Sequence, residues 1–340
     1  MALWKSSLTA PLTEEDVREM IASASETLLT GAGLDPTGKR VLVIIPDSTR
    51  TAPIPLMFRL LGEQLGGRVA ALDYLIALGT HPPMPPAAID RLVGLSAAER
   101  AARFPTVRIF NHDWANPRAL HTIGTISRAE AGDLTGGLLA DDVPVTLNQM
   151  VSDHDLILIC GPVFPHEVAG FSGGAKYLFP GIAGPDIINF THWLGALVTS
   201  MHTIGVKDTP VRRILTRAAA LVLRPIICLA LVMQGESLHG LAIGPLGEAW
   251  SQAADLSAAL NITYVDRPFQ RVLSAPAEMY DDLWTAAKAM YKTEPVIADG
   301  GEVIIYAPHI TEVSYTHGKL IDEVGYHVRD YFLKQWDLFV

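Results

Sequence analysis

The sequence predicts an α/β fold built around a mostly parallel sheet, with a larger N-terminal domain and a smaller α/β C-terminal domain. Short apolar runs rich in valine and isoleucine recur along the chain, which is typical of strands buried on both faces. Amphipathic stretches separate several of these runs, as expected of a parallel α/β sheet. The length of 340 residues exceeds what one hydrophobic core usually serves, so two domains are expected.

The elements follow in order along the chain. The stretch LTEEDVREMI, residues 12–21, predicts a capped amphipathic helix. Helices are also predicted over PLMFRLLGEQLG (55–66) and SAAERAARF (96–104). The predicted strands of the sheet begin at Val41, Ala71, Val107, Val143, Asp155 and Val303.

The most apolar segment runs from Ile214 to Met233. Arg217, Arg224 and Pro225 interrupt it, so the pattern favours a buried helix followed by a strand over a membrane-spanning helix. Beyond it, NITYVD (261–266) predicts a further strand. A domain boundary is expected near residue 265, which gives a Rossmann-like cofactor-binding domain over 1–264 and a short α/β domain over 265–340. We expect the site in the cleft between them.

Composition and charge limit the partners. The net charge is −10, and no cluster of lysine or arginine exists that could neutralise a run of phosphates, so nucleic acid is not expected as a partner. Cys160 and Cys228 lie in apolar runs, which indicates buried free thiols in a reducing compartment. The N-terminus lacks the apolar core of a signal peptide, so a cytoplasmic protein without a membrane partner is expected.

Several chemically capable side chains lie just beyond the ends of predicted strands. Asp47 and Arg50 follow the first strand, His81 the second, His112 the third, and His166 the strand that contains Cys160. Ligands of open parallel sheets bind at the carboxyl ends of the strands, so this edge collects the candidate site. For His112, with Asp113 beside it, both a structural and a catalytic role remain open.

The densest pattern is PHEVAGFSGGAKYLFPGIAGPDIINFTHW, residues 165–193. Glycines such as Gly173 and Gly174 let backbone N–H groups approach an anion, and Lys176 beside them offers a charge or a nucleophilic amine. A phosphate or nucleotide site is one interpretation, and an ordinary turn is the other. The spacings of a Walker loop and of a GxGxxG fingerprint are both absent.

Four motifs together resemble the lactate racemase family, whose members use a nickel-pincer nucleotide. They are PDSTR (46–50), ALGTH (77–81), PHEVAGFSGGAK (165–176) and, sixteen residues beyond Lys176, His192. The resemblance spans most of residues 40–195. It implies a racemase or epimerase, an isomerase that inverts a hydroxyl-bearing carbon by proton-coupled hydride transfer.

The resemblance also implies roles for individual residues. The family's cofactor is pyridinium-3-thioamide-5-thiocarboxylic acid mononucleotide with Ni²⁺. Lys176 would be covalently attached to this cofactor and would contact the metal through it. His192 would be the protein's nickel ligand. His81 and His166 would be the acid/base pair. The remaining expected cofactor-binding residues are Asp47, Thr49, Gly173 and Gly174, and the expected substrate-binding residues are Arg50 and Lys288. Enzymes that make the cofactor are implied as partners.

The C-terminal part departs from the family. Lactate-specific members carry glutamine where this chain has Thr285, which is also expected to contact the substrate, and the second domain is either short or incomplete for the family. His309 and His317 lie in the polar segment APHITEVSYTHGKLI, which either contacts hydroxyl groups of a substrate or forms a capped loop. Trp336 is a candidate for the family's active-site tryptophan. The expected substrate is therefore a small hydroxy acid or a sugar acid.

The residue types fit this chemistry, because inversion in both directions needs two bases and a neutral imidazole can either accept or donate a proton. An arginine can also hold a carboxylate through two hydrogen bonds. Two other functions remain open from the sequence. One is a zinc hydrolase built from the histidines, although no HExxH motif is present. The other is a protein that binds a phosphorylated small molecule.

Overall fold

The computed structural model describes residues 1–30 and 34–339. Within these residues thirteen strands follow one another: β1 (Leu3–Ser6), β2 (Arg40–Ile45), β3 (Ala71–Ile76), β4 (Val107–Asn111), β5 (Leu120–Ile126), β6 (Val143–Asn148), β7 (Leu156–Pro162), β8 (Pro165–His166), β9 (Gly170–Phe171), β10 (Ile226–Gln234), β11 (Ser237–Pro245), β12 (Phe269–Ser274) and β13 (Ile297–Ile305).

The same residues contain fourteen α-helices. They are α1 (Glu14–Ala24), α2 (Ile54–Leu65), α3 (Pro86–Val93), α4 (Ala97–Arg103), α5 (Arg128–Thr135), α6 (Met150–Asp153), α7 (Pro185–Val198), α8 (Pro210–Ala219), α9 (Leu246–Asn261), α10 (Leu283–Ala286), α11 (Lys288–Tyr291), α12 (Gly318–Val324), α13 (Arg329–Leu333) and α14 (Trp336–Phe339). A π-helical turn, Ser25–Thr30, follows α1, and four 3₁₀ turns cover Pro117–Ala119, Gly174–Tyr177, Ser200–His202 and Glu294–Val296.

A seven-stranded sheet organises most of the chain, in the order β1-β11-β10-β7-β2-β3-β4. The five strands from β10 to β4 are parallel to one another, whereas β11 pairs antiparallel with β10 and β1 pairs antiparallel with β11 at the edge. The predicted α/β fold with a parallel-dominated sheet is therefore confirmed.

The core lies on both faces of this sheet. Successive side chains of a strand point to opposite faces, so Val41, Val43 and Ile45 of β2 belong to one hydrophobic cluster, and Leu42 and Ile44 to the other. Helices α1, α2 and α3 cover the first face, and α7, α8 and α9 cover the second. Burial on both faces explains why the central strands consist of almost uninterrupted apolar runs.

Helix starts follow capping chemistry that is visible in the sequence. The Thr13 hydroxyl accepts a hydrogen bond from the backbone of Asp16, whose carboxylate accepts one from the backbone of Thr13, at the start of α1. Ser96 and Glu99 form the same reciprocal pair at α4. These contacts confirm the helices predicted over 12–21 and 96–104.

Three predictions about strands are wrong in the structure. The strand predicted at Val303 is part of β13, which lies outside the seven-stranded sheet and pairs with β12. The strand that begins at Val143 pairs with β5 in a separate antiparallel sheet, because only one of its faces is buried and Pro144 lacks an N–H group. The segment 261–266 forms no strand: α9 extends to Asn261, and Tyr264 is 85% exposed.

The described residues beyond 265 lie outside the seven-stranded sheet. Strands β12 and β13 pair in parallel as a two-stranded sheet, and both carry many exposed side chains. The division into two domains near residue 265 stays a prediction. None of the helices formed by residues 1–30 and 34–339 has the length and apolar character needed to cross a membrane.

One ion cluster around a buried carboxylate and a buried histidine joins three segments of the fold and generates a stability prediction. The carboxylate of Asp73, 1% exposed, accepts two hydrogen bonds from Arg108, at 2.9 and 2.7 Å, and lies 3.0 Å from His154 Nε2. Replacing Asp73 by alanine leaves buried His154 without this partner, so we expect a loss of about 3 kcal/mol in the free energy of unfolding, measured by urea denaturation.

The matched control is Asp208→Ala. Asp208 pairs with Arg213, but the side chains are 69% and 46% exposed. Because exposed ion pairs contribute little, the control should change the unfolding free energy by about 0.5 kcal/mol or less. Equal losses in the two variants would contradict the assigned role of the buried cluster.

Candidate functional site

A cavity of about 1250 Å³ opens at the carboxyl ends of the parallel strands. It lies where the strand order reverses, because β3 and β4 extend the sheet on one side of β2 and β7 extends it on the other. Such a switch point is the usual ligand site of open parallel sheets. Nine of the predicted site residues line the cavity: Asp47, Arg50, His81, His166, Gly173, Lys176, His192, Thr285 and Lys288.

Asp47 organises the segment that follows β2. Its carboxylate accepts hydrogen bonds from the Thr49 backbone at 3.0 Å and hydroxyl at 2.6 Å, and it lies 2.6 Å from His81 Nδ1. Burial raises the pKa of Asp47, but the hydrogen bonds from His81 and Thr49 and the charge of Arg50 outweigh burial and lower it. The ionised carboxylate therefore accepts the Nδ1 proton of His81, and in this tautomer Nε2 presents a lone pair to the cavity.

His166 has the opposite arrangement. Its Nδ1 accepts a hydrogen bond from the Val168 backbone N–H at 3.0 Å, so the proton of the neutral ring is on Nε2. Burial holds the pKa of His166 well below its ordinary value. The positive charges of Lys176 and Arg50 also lower this pKa, whereas the carboxylate of Glu167 raises it. His166 therefore offers an N–H donor to the cavity, whereas His81 offers a lone pair.

Lys176 lies in the 3₁₀ turn that follows the paired glycines. Burial lowers its pKa to about 7, and the positive charges of Arg50, Arg212 and Lys288 act in the same direction against Glu167. About half of its amine is therefore neutral near pH 7. A neutral amine that lines a cavity is a competent nucleophile for covalent attachment.

The two glycines before Lys176 are required by space and backbone conformation. Gly173 has φ +74°, and a Cβ there would lie 2.6 Å from Val163 Cγ2. Gly174 has φ +59°, and its Cβ would lie 2.9 Å from Trp250. These values are in the left-handed region, which L side chains rarely adopt. Gly174 itself contacts Trp250 and does not line the cavity.

His192 extends into the cavity from α7. Its Nδ1–H donates to the backbone carbonyl of Ile188 at 2.7 Å, because a carbonyl can only accept. Burial lowers the pKa of His192, and the charge of Lys176 adds to this effect. The ring is therefore neutral with a free Nε2 lone pair, which is the form that binds metals.

The C-terminal residues contribute unequally to the cavity. Lys288 Nζ lies 3.6 Å from Glu167 Oε1. Thr285 lines the cavity, but its hydroxyl donates to Asp282 at the start of α10. Neither remaining predicted histidine lines the cavity: His317 packs edge-on against Trp284, with ring centroids 4.7 Å apart, and His309 Nε2 lies 3.1 Å from the backbone carbonyl of Tyr280.

His112 lies buried under the site. Its Nε2 is 3.0 Å from the Ala183 carbonyl and its Nδ1 is 3.2 Å from the Asn148 amide, contacts that support the structural interpretation. Across residues 1–30 and 34–339, no three side chains of histidine, cysteine, aspartate or glutamate group closely enough to hold a metal by themselves. The zinc hydrolase alternative gains no support from this part of the chain.

Sequence reasoning missed several residues of the cavity wall. Glu167 lies inside the densest motif, next to His166, and Tyr291 lies one helical turn beyond Lys288, so spacing from predicted residues could have identified both. Trp193 also lines the cavity, beside His192. Trp336 packs on Trp193 with ring centroids 5.5 Å apart, behind the wall.

Comparison with known proteins gives a family. Residues 7–205 match the family of lactate racemase N-terminal domains. The lactate racemase of Thermoanaerobacterium thermosaccharolyticum is 24% identical over 279 residues, and that of Lactiplantibacillus plantarum 22% identical over 276 residues. Each alignment covers 79% of this chain and 60% of the relative, so the chain spans about 60% of the length of these curated proteins.

Solved structures agree on the fold. A crystal structure of a Thermotoga maritima protein is 33% identical, with a TM-score of 0.81, and the match covers 96% of this chain and 80% of that one. The lactate racemase apoprotein from T. thermosaccharolyticum is 24% identical, with a TM-score of 0.70 over 87% of this chain and 67% of the other.

The lowered pKa of Lys176 generates a prediction for the cofactor-free protein. Amine acylation should rise with pH to an apparent midpoint near 7 at Lys176, because the amine is protonated and unreactive below its pKa of about 7. Peptide mass spectrometry after short exposure to acetic anhydride measures this at each lysine.

Lys5 is the internal control, because hydrogen bonds to Asp16 and Glu19 raise its pKa above the ordinary value of 10.5. It should therefore react only at much higher pH than Lys176. Parallel pH profiles for the two lysines would contradict the depressed pKa.

Proposed function

The chain belongs to the lactate racemase family, and we propose that it is an isomerase that inverts a hydroxyl-bearing carbon of an α-hydroxy acid or sugar acid. One observation carries the proposal: His81 and His166 line the same cavity in complementary hydrogen-bonding states. A site built for inversion needs one group that takes the hydroxyl proton and another that returns a proton on the opposite face.

The two histidines can exchange these roles. The Nε2 of His81 accepts the hydroxyl proton of one enantiomer, and the imidazolium that forms is stabilised by the carboxylate of Asp47 at 2.6 Å. For the return step His166 first takes up a second proton, then as an imidazolium donates the Nε2 proton to the substrate oxygen and becomes neutral, and exchange with solvent resets both rings. For the other enantiomer the roles reverse: His166, in the tautomer with its proton on Nδ1, accepts at Nε2, and the imidazolium of His81 returns a proton.

Two cations are proposed to hold the substrate carboxylate. The Nη1 group of Arg50 donates to the carbonyl and hydroxyl of Thr49, at 3.1 and 2.9 Å, which orients the guanidinium and leaves its other N–H groups for a carboxylate. Lys288, which belongs to the segment after residue 265, also lines the cavity. Because residues from before and after position 265 line one cavity, the arrangement supports the proposed division into two domains with the site between them.

The residues present also fit a nickel-pincer nucleotide. We propose that Lys176 attaches it covalently, since its amine is buried and partly neutral, and that the free Nε2 of His192 binds the nickel. Asp47 and Gly173 would contact the cofactor from the cavity wall, and Thr49 and Gly174, which do not line the cavity, would hold Asp47 and the Lys176 turn in position. When bound, this cofactor supplies reversible acceptance of hydride from the inverted carbon. Enzymes that make the cofactor are then required partners.

The cofactor proposal is tested by intact-mass and nickel analysis of protein produced together with the cofactor-making enzymes. We expect a nucleotide-sized adduct on Lys176 and about one nickel per chain. Lys176→Arg should lose both, because a guanidinium stays protonated and cannot be acylated. His192→Ala should keep the adduct and bind nickel at least about tenfold more weakly, since the one protein ligand is gone.

Lys207→Arg is the matched control, because Lys207 pairs with Asp255 and does not line the cavity. It should keep adduct and nickel. An adduct on another residue, or nickel at wild-type levels in Lys176→Arg, would contradict the proposed attachment.

The acid/base assignment predicts the behaviour of His81→Asn and His166→Asn in the loaded enzyme. Each should slow inversion by about 10²- to 10⁴-fold, the usual contribution of a positioned acid or base. Both should retain the Lys176 adduct, because neither side chain attaches the cofactor. Polarimetry measures the inversion and intact mass the loading.

His202→Asn serves as the control, because His202 is exposed and outside the cavity wall. Wild-type turnover in both His81→Asn and His166→Asn would contradict the acid/base assignment.

A further inference from the structure

The carboxylate of Glu167 is a charged group of the cavity wall to which the proposed reaction gives no role. Glu167 directly follows β8, and its side chain is only 13% exposed. Its oxygens lie 3.7 Å from His166 Nδ1 and 3.6 Å from Lys288 Nζ. The carboxylate therefore stands between an acid/base histidine and a proposed substrate-binding lysine.

These neighbours leave the acceptor positions of Glu167 largely open. Both distances are longer than a hydrogen bond, and His166 Nδ1 already accepts from the Val168 backbone. Apart from its own backbone N–H, no group in residues 1–30 and 34–339 donates a hydrogen bond to this carboxylate. An ionised carboxylate has about four acceptor positions, and burying them without donors costs free energy.

The charges around Glu167 restrict what can fill these positions. A second carboxylate of a ligand would be repelled by Glu167 itself. An ammonium group bound at Glu167 would be repelled by Lys288, whose Nζ lies 3.6 Å from this carboxylate, and by Lys176. A neutral hydroxyl group meets neither obstacle and donates a hydrogen bond to a carboxylate at full strength.

The size of the cavity points in the same direction. A volume of about 1250 Å³ exceeds the 300–1,000 Å³ typical of small-molecule sites, so room remains for a substrate longer than a three-carbon acid beside a nucleotide. Tyr291 and Trp284 line the part of the wall contributed by the C-terminal residues. Their rings offer apolar surface to the carbon chain of such a substrate.

We infer that Glu167 is a specificity-determining residue that selects hydroxy acids carrying further hydroxyl groups, by accepting hydrogen bonds from hydroxyls next to the inverted carbon. This inference rests on the proposed function and narrows its substrate class to polyhydroxylated acids. An acid with only an alkyl chain leaves the carboxylate without a donor. Sites built to hydrogen-bond a hydroxyl discriminate strongly against analogues that lack it, because a buried polar group is then unpaired.

The test compares a six-carbon aldonic acid with lactate as substrates of the nickel-loaded enzyme. The wild-type ratio of kcat/KM values should favour the aldonic acid by at least about tenfold. Glu167→Met keeps the length of the side chain and removes its acceptors, so the ratio should fall at least about tenfold. Glu167→Gln keeps one neutral acceptor, so its ratio should lie between those of the wild type and Glu167→Met. This variant provides the test if the methionine variant does not fold.

Glu236→Met makes the same chemical change in the exposed turn between β10 and β11 and should keep the wild-type ratio. A wild-type preference for lactate, or a ratio unchanged within about twofold in both Glu167 variants, overturns the role of Glu167 while leaving inversion intact. Loaded wild-type enzyme that inverts no hydroxy acid overturns the proposed function itself. The two failures are therefore distinguishable.

Discussion

The structure depends on the burial of several charged and basic groups at one edge of a parallel sheet. Among the described residues, the cavity wall holds four cations and four carboxylates, and the groups that act on Lys176 are the cations Arg50, Arg212 and Lys288 and the carboxylate of Glu167. Like charges in a space of low polarity are unfavourable, so part of the positive charge is lost. Burial and the neighbouring cations therefore hold Lys176 partly neutral and His166 neutral, and these are the protonation states that attachment and proton transfer require.

The central fold could be predicted from the sequence because its strands are buried on both faces. Such strands leave uninterrupted apolar runs, and β2, β3 and β7 were identified from them. Strand β11 was missed although it is just as buried, because His239, Gly240 and Gly244 break its apolar run. Gly240 is needed there, since a Cβ would lie 2.4 Å from Leu256. Long-range packing of this kind leaves no periodic signal in the sequence.

The site could be predicted where the position of a residue along the chain determines its place in the fold. Residues just beyond strand ends, such as Asp47, His81 and His166, meet at one edge because parallel strands end together. His309 and His317 were grouped by sequence proximity alone, and neither lines the cavity: His309 lies against the Tyr280 carbonyl, and His317 packs behind Trp284 of the wall. The hydrogen bonds that set the two tautomers of the acid/base histidines depend on backbone geometry, which no sequence pattern records.

Arg212 shows how stability and reactivity are coupled in this design. It is 5% exposed, has no carboxylate partner among the described residues, and donates to the carbonyls of Gly173 and Phe171 while its guanidinium stacks over Trp250. A buried cation held only by carbonyls and a ring costs free energy of folding. The same cation, however, fixes the glycine loop and lowers the pKa of Lys176. The stability lost at Arg212 is therefore part of what makes the lysine reactive, as expected of a functional site that sacrifices local stability.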